Sequence, residues 1–211
     1  DELSKAMGMD CRIGPHFLKA SVGFGGSCFQ KDILNLVYLC KHYGLDEVAE
    51  YWHQVIRIND YQKSRFAQKI INYFNEYGKK KKITILGWAF KANTNDSRES
   101  PSIAVVNNLL IKNFNIEIYD PLVKIEQIKN DIENINNKRD TILTSKVFKN
   151  LKIHTNLNSA MINSKTVAIL TDSEEFGHFN WKQYLKNNVL FDGRNLFTKF
   201  SASKNYYNLN I

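Results

Sequence analysis

The segment Ile83-Thr84-Ile85-Leu86-Gly87-Trp88-Ala89-Phe90-Lys91 begins as a β-branched apolar run and turns at its single glycine. A run of this length and composition is typical of a strand that is buried on both faces of a parallel sheet. Downstream, short apolar runs alternate with helical patterns. We predict further strands at 116–119, 152–154, 166–170 and 189–192, and helices at 102–111, 157–163 and 181–186. Strand–helix alternation of this kind predicts an α/β fold with right-handed crossovers.

Upstream of this segment the pattern is helical. Residues 27–44 and 46–77 carry apolar side chains at helical spacing, and Gly44 and Gly78 close the two predicted helices. We therefore predict a helical domain at 1–78, which contains a glycine-rich loop, and a parallel-sheet domain at 79–211. Residues 122–150 are polar and rich in Asn and Lys, so an irregular insertion is predicted there.

Composition excludes several classes of protein. The formal net charge of +8 suits an anionic ligand, and no signature of a DNA- or RNA-binding module accompanies it, so no nucleic-acid partner is expected. No apolar run approaches the roughly 20 residues of a membrane helix. Three cysteines without paired spacing fit a reducing compartment, and we expect a cytoplasmic protein. The five histidines show no metal-ligand spacing, and no metal is expected.

The glycine-rich loop reads Gly23-Phe24-Gly25-Gly26-Ser27-Cys28-Phe29-Gln30-Lys31-Asp32 and enters the first predicted helix near Cys28. Glycines let a backbone approach a ligand closely. The start of a helix favours the thiolate form of a cysteine, and Lys31 and Asp32 follow on nearly the same face. This constellation suits covalent catalysis. The same spacing equally fits a small buried cysteine beside a turn, and spacing alone does not separate the two.

The turn after the first strand, at residues 87–91, has one glycine where a dinucleotide site has the pattern Gly-x-Gly-x-x-Gly. NAD binding on this sheet is therefore not expected. Asp120, at the end of the second strand, could bind a ribose, but the missing glycines favour the alternative of a turn-forming Asp-Pro. Ligands of parallel sheets lie beyond the carboxyl ends of the strands, which here are 87–91, Asp120, Thr171-Asp172 and Gly193-Arg194.

Several of these motifs, in this order, resemble the UDP-glucose/GDP-mannose dehydrogenase family, and the animal-type UDP-glucose dehydrogenases within it. The similarity runs with few gaps from residue 1 to about residue 120, weakens over the predicted insertion and then returns. It is carried by residues 8–10, 12–14, 17–32, 35–40, 51–56, 59–62, 85–91, 96–102, 118–121, 168–171 and 191–194. A single Gly-Phe-Gly-Gly-Ser-Cys motif would be less specific.

The resemblance implies an α/β fold in which a helical central dimerisation segment precedes a Rossmann-like parallel-sheet domain that binds UDP-sugar. It implies NAD-dependent oxidation of UDP-glucose to UDP-glucuronate in two steps, through a cysteine thiohemiacetal and a thioester. In this reaction Cys28 would be the nucleophile, and Asp32 would help to position or activate the hydrolytic water.

The binding residues of the family also carry over by position. Substrate contacts would come from the loop before the cysteine, namely Phe17, Leu18, Lys19, Ala20, Ser21, Val22, Gly23, Phe24 and Gly25. The second domain would add Phe90, Lys91 and Arg194, and Arg12 would reach the sugar of a neighbouring subunit. Cys28, Phe29, Gln30, Lys31 and Arg98 would lie near NAD. For the arginines, the residues alone favour the alternative of surface ion pairs.

The resemblance further implies that the chain corresponds to the C-terminal half of such a dehydrogenase. The NAD-binding domain and the family's catalytic lysine and asparagine would lie outside it, so we expect these 211 residues alone to be inactive. The expected partners are UDP-glucose and a second copy of the chain, bound across the central helices. Assembly beyond the dimer is implied by the resemblance alone. Two alternatives remain: a dehydrogenase for GDP-mannose or UDP-N-acetylmannosamine, and a non-catalytic module that binds nucleotide sugars.

Overall fold

The computed structural model describes residues 2–137 and 149–209. The chain opens with three helices, α1 (Glu2–Gly8), α2 (Phe29–His42) and α3 (Asp46–Glu76). Ile33, Val37 and Cys40 recur on one face of α2 and pack against the first half of α3 in a small apolar core. The helices predicted at 27–44 and 46–77 are confirmed to within two residues at each end.

The long helix α3 takes part in two cores. Its 31 residues span about 46 Å. The first half lies on α2, whereas Phe66, Ile70 and Phe74 in the second half are buried in the main core of the sheet domain. The predicted domain boundary between residues 78 and 79 falls in the loop that follows α3, and it stays a prediction.

The strands described in the rest of the chain form one parallel sheet. Its strands are β1 (Lys82–Leu86), β2 (Asn115–Tyr119), β3 (Leu151–Ile153), β4 (Thr166–Ile169), β5 (Val189–Asp192) and β6 (Tyr206–Tyr207). They lie in the order β3-β2-β1-β4-β5-β6, and Ile85 in β1 is opposite Ile118 on one side and Ala168 on the other. The chain thus reverses direction across the sheet between β1 and β4, where parallel sheets open a ligand-binding crevice.

Helices cover both faces of the sheet. They are α4 (Pro101–Ile111), α5 (Ile125–Asn137), α6 (Leu157–Met161), α7 (Glu174–Gly177) and α8 (Trp181–Tyr184), with a 3-10 turn at Thr198–Phe200. Ile83 and Ile85 face the main core with α3, α4 and α5, whereas Leu86 faces a second core with α6, α7 and α8. This alternation follows from the two-residue period of a strand. The predicted α/β fold with a parallel sheet is confirmed.

Several elements differ from the sequence-based prediction, among them the short helix α7 and the 3-10 turn at Thr198–Phe200, which were not predicted. The irregular insertion predicted at 122–150 is wrong for residues 125–137, which form α5, because Ile125, Ile128 and Ile132 share one helical face and the last two are buried. Residues 138–148 of that insertion lie outside the described residues. The strand β6 was not predicted, since it has only two residues and exists through its pairing with β5. None of the described helices is long and apolar enough to cross a membrane.

Candidate active site

A cavity of about 740 Å³ opens where the glycine-rich loop meets the carboxyl ends of the strands. One wall consists of residues from the segment 15–29, with Leu18, Ala20 and Val22 outside the lining. The opposite wall consists of residues that follow three strands: Phe90 to Ala92 after β1, Asp172 after β4 and Arg194 after β5. The cavity therefore occupies the position at which parallel sheets of this order bind ligands.

Cys28 lies at the start of α2 and faces this cavity. It is the N-cap residue, and its carbonyl oxygen accepts the first helical hydrogen bond from Asp32 N at 2.9 Å. The thiol is free and exposed, with Ser27 Oγ 3.5 Å from Sγ. The buried-cysteine alternative is therefore excluded for Cys28.

Arg98 brings a positive charge to the same region. Its guanidinium holds Asp96 in a bidentate pair, with Nη2 to Oδ2 at 2.8 Å and Nε to Oδ1 at 3.0 Å. This hydrogen bond, and after it the attraction of the Asp96 charge, raises the pKa of Arg98. The hydrogen bond from Gly26 N to Arg98 O places this ion pair beside the glycine-rich loop.

Charged side chains line the cavity wall. Lys19, Lys91 and Arg194 are cationic, and Asp172 is the one carboxylate among the lining residues. Arg194 Nη2 lies 3.3 Å from Asp172 Oδ1 in a largely buried ion pair. Within the described part of the chain, Arg194 Nε and Asp172 Oδ1 have no hydrogen-bond partner. An unmade bond at a buried charge is costly, so this wall is suited to a polar ligand that completes it.

Backbone contacts join the two loops that form the cavity. Gly26 N donates to Arg98 O at 2.8 Å, and Gly25 lies so close to Glu99 that no side chain fits between them. On the other side of the loop, Val22 is fully buried in the main core. The start of the glycine-rich loop is therefore fixed to the sheet domain on both sides, through Val22 on one side and through Gly25 and Gly26 on the other.

The turn after β1 is held by Asp120 and Thr171. The Asp120 carboxylate accepts four backbone N–H bonds, from Trp88 and Ala89 through one oxygen and from residues 122 and 123 through the other. Thr171 Oγ1 donates to Ala89 O. Asp120 is thus fully used in shaping the turn, in agreement with the turn-forming alternative and not with ribose binding.

The residues predicted for the site fall into two groups. Those lining the cavity are Phe17, Lys19, Ser21, Gly23, Phe24, Gly25, Cys28, Phe29, Phe90, Lys91 and Arg194. Those outside the lining are Arg12, Leu18, Ala20, Val22, Gln30, Lys31, Asp32 and Arg98. Asp32 and Lys31 are exposed on the first turn of α2. Arg12 is exposed and paired with Asp10, with Nη2 to Oδ2 at 2.7 Å. The roles of all these residues stay predictions.

Sequence reasoning assigned no role to Asp172 or His16, although both line the cavity. Asp172 had a signal, because it stands at a predicted strand end. His16 lies between residues 12–14 and 17–32, which carry the resemblance, and directly precedes the predicted site residue Phe17. Among residues 2–137 and 149–209, no group of three or more His, Cys, Asp or Glu side chains could hold a metal ion.

Comparisons with known proteins identify relatives of this chain. Residues 84–199 match the model of the UDP-glucose/GDP-mannose dehydrogenase family, UDP binding domain, and residues 1–61 match the family's central domain. UDP-glucose 6-dehydrogenase 2 of Oryza sativa subsp. japonica is 45% identical over 206 residues, which cover 92% of this chain and 42% of that protein. UDP-glucose 6-dehydrogenase of Drosophila melanogaster is 46% identical over 199 residues, which cover 92% of this chain and 41% of that protein.

Solved structures show the same architecture. A UDP-glucose dehydrogenase from the archaeon Pyrobaculum islandicum matches 99% of this chain and 43% of its own with a TM-score of 0.72 at 26% identity. GDP-mannose dehydrogenase from Pseudomonas aeruginosa, at 20% identity and a TM-score of 0.66, shares the fold and covers 99% of this chain and 45% of its own. The chain thus spans less than half the length of these relatives. Because the UDP-binding model alone matches more than half of its residues, the chain belongs to the UDP-glucose/GDP-mannose dehydrogenase family.

Proposed function

We propose that this chain is the cysteine-bearing, nucleotide-sugar-binding part of an NAD-dependent UDP-glucose 6-dehydrogenase, which oxidises the C6 alcohol of UDP-glucose to the carboxylate of UDP-glucuronate. One observation carries the proposal: Cys28, at the start of α2, faces a cavity whose walls also hold Lys19, Lys91 and Arg194. A nucleophile and three cations in one cavity suit an anionic substrate with an oxidisable carbon. The names of the curated relatives supply the sugar nucleotide.

The cations would bind the diphosphate. Arg194 can offer two parallel N–H groups to a phosphate, and the lysines add point charges. The loop from Lys19 to Gly25 would line the glucose and diphosphate, and its glycines let the backbone reach them. Phe90 would contact the substrate from the sheet side.

The sheet of this chain does not fit a dinucleotide. Its first turn has the single glycine Gly87, and the Asp120 carboxylate is taken up by four backbone N–H groups. The main NAD site is therefore assigned to a part of the protein outside these 211 residues. Phe29, Gln30, Lys31 and Arg98 would lie against the cofactor, together with Cys28. When bound, NAD supplies the hydride acceptor for both oxidation stages.

The residues of α2 would carry the covalent chemistry. The Cys28 thiolate would add to the carbonyl carbon of the C6 aldehyde, which gives a thiohemiacetal and retains the reactive aldehyde. After the second oxidation stage, C6 of the sugar would be held as a thioester on the same sulfur. Asp32, one helical turn from Cys28, would then help a water molecule to attack the thioester carbon and release the thiolate.

A homodimer through the central helices is part of the proposal, and higher homo-oligomers would build on it. The outer faces of α2 and α3 expose large apolar side chains, and an apolar patch of this kind marks an interaction surface. These exposed side chains include Tyr38 on α2, and Tyr51, Ile58 and Tyr61 on α3. In such an assembly Arg12 would reach the sugar of the neighbouring subunit. The exposed free thiols of Cys11 and Cys28 suit a reducing compartment, and we place the protein in the cytoplasm.

Calorimetric titration of the chain tests the substrate class. UDP-glucose is expected to bind, with GDP-mannose and UDP-N-acetylmannosamine as controls that bind more weakly. Selective binding of a control would move the assignment to another nucleotide sugar. The chain mixed with UDP-glucose and NAD is expected to form no NADH, and turnover by the chain alone would refute the assignment of the NAD site to another part of the protein. A non-catalytic binding module would show binding, but no turnover in the full-length gene product.

A further inference from the structure

The helix α3 carries two polar side chains at positions that face the protein interior. Asn59 is 4% exposed and Lys63 is 6% exposed, and they lie between the apolar residues Ile56 and Phe66 on the same helix. This is the point at which α3 passes from the core it shares with α2 to the core of the sheet domain. A buried carboxamide is costly unless its donor and acceptor are both satisfied.

The carboxamide oxygen and the carboxamide nitrogen of Asn59 both form hydrogen bonds to one residue of the glycine-rich loop, Phe24. Phe24 N donates to Asn59 Oδ1 at 2.8 Å, and Asn59 Nδ2 donates to Phe24 O at 3.1 Å. The side chain therefore binds Phe24 as a neighbouring strand would bind it. This pairing requires a carboxamide of this length, because the carboxylate of Asp lacks the donor and a hydroxyl reaches one group only.

The sequence of the loop is adapted to this contact. Gly23 has a φ of 149°, and a Cβ atom there would lie 2.7 Å from Asn59 Oδ1 and 3.0 Å from Lys63 Cγ. No side chain fits between the loop and α3 at this position. The close approach of the Gly23 backbone to these two side chains and the Asn59 bonds thus belong to one arrangement.

We infer that Asn59 is a positioning residue that fixes the Phe24–Cys28 segment against α3. The ring of Phe24 packs edge-on against that of Phe29, with centroids 4.7 Å apart, and Phe29 directly follows Cys28. Both rings and the thiol line the cavity. Asn59 itself is not among the lining residues, so it acts through the loop. The inference rests on the proposed function for the claim that this loop binds the substrate.

Hydrogen–deuterium exchange of the chain tests the contact without any assay of activity. In Asn59→Ala the Phe24 amide loses its acceptor, and its exchange is expected to become about 10- to 100-fold faster. Asn59→Asp keeps the shape but sets a carboxylate against Phe24 O, and faster exchange is expected there too. Asn72, exposed on the same helix and bonded to Gln68, gives the matched controls Asn72→Ala and Asn72→Asp. Unchanged exchange at Phe24, or an equal increase along all of α3, would overturn the inference.

Kinetics of the full-length gene product test the consequence. We expect kcat/KM for UDP-glucose to fall about 10- to 100-fold in Asn59→Asp, and to stay within twofold in Asn72→Asp. Faster exchange at Phe24 with unchanged kcat/KM would reduce Asn59 to a structural residue and refute a role in positioning. If the unsubstituted protein does not oxidise UDP-glucose, the proposed function fails, and the exchange result still decides whether Asn59 holds the loop.

Discussion

A methyl group on Gly25 would force apart the two loops that form the cavity. A Cβ atom built there lies 2.4 Å from Glu99 O and 2.9 Å from the Glu99 carbonyl carbon, which are backbone atoms that cannot rotate away. Overpacking of this kind costs about 1–3 kcal/mol. The hydrogen bond from Gly26 N to Arg98 O, worth about 1 kcal/mol, would be lost as the loops separate. We therefore expect Gly25→Ala to lower the free energy of unfolding by about 2–4 kcal/mol.

Thermal unfolding followed by circular dichroism measures this change. For a chain of this size the expected loss corresponds to a fall in Tm of about 10 °C. Gly177→Ala is the matched control, because no atom lies within 4 Å of a Cβ at that exposed position. Calorimetry should show weaker UDP-glucose binding for Gly25→Ala only. Equal Tm values for the two variants would refute the reasoning that these loops are in fixed contact.

Three further changes have defined outcomes. Asp120→Ala leaves four backbone N–H groups without their acceptor, and urea denaturation should show a loss of about 3 kcal/mol. Burial raises the pKa of Glu117, but hydrogen bonds from Lys82 and His154 outweigh it and hold this pKa below its usual value of 4.5. Stability from Glu117 is therefore present above pH 4.5 and lost as the pH falls through the folded pKa, so Glu117→Gln should flatten the acid side of the stability profile. Arg194→Ala should weaken UDP-glucose binding in calorimetry by about tenfold or more, through loss of charged hydrogen bonds.

Each of these outcomes has a clear contrary result. An unchanged urea midpoint in Asp120→Ala would mean that water replaces the carboxylate at the turn. If the stability of Glu117→Gln and of the unsubstituted chain falls equally at acid pH, the bonds of Glu117 to Lys82 and His154 contribute nothing to stability. Full UDP-glucose affinity in Arg194→Ala, with the fold intact, would remove Arg194 from the binding site.

The sheet was predictable from the sequence where burial leaves a local pattern. Ile83 to Leu86 and residues 166–169 are runs of apolar and β-branched residues, because both faces of a central parallel strand are covered. The helix α5 was missed because only every third or fourth residue is apolar and the residues between are polar or charged. Its isoleucine spacing was nevertheless helical. The strand β6 has no local signal, since two tyrosines become a strand only by pairing with β5.

The site was predictable where the chemistry is contained in one motif. Cys28 and the glycines before it lie in one loop, so their proximity follows from the sequence. Asp172 reaches the same cavity through the packing of β4, and its pairing with Arg194 could not be read from spacing. Asn59 lies 35 residues from Phe24 along the chain. Its signal was a polar residue at a position of α3 where helical spacing requires burial.

Turnover of a Cys28→Ser variant tests the central claim most directly. The full-length gene product would be mixed with UDP-glucose and NAD, and both NADH and UDP-glucuronate would be measured. Cys11→Ser is the matched control, because Cys11 is also free and exposed but does not line the cavity. The account predicts two NADH per UDP-glucuronate in the control and no UDP-glucuronate from Cys28→Ser. UDP-glucuronate formation by Cys28→Ser at the rate of the control would contradict it.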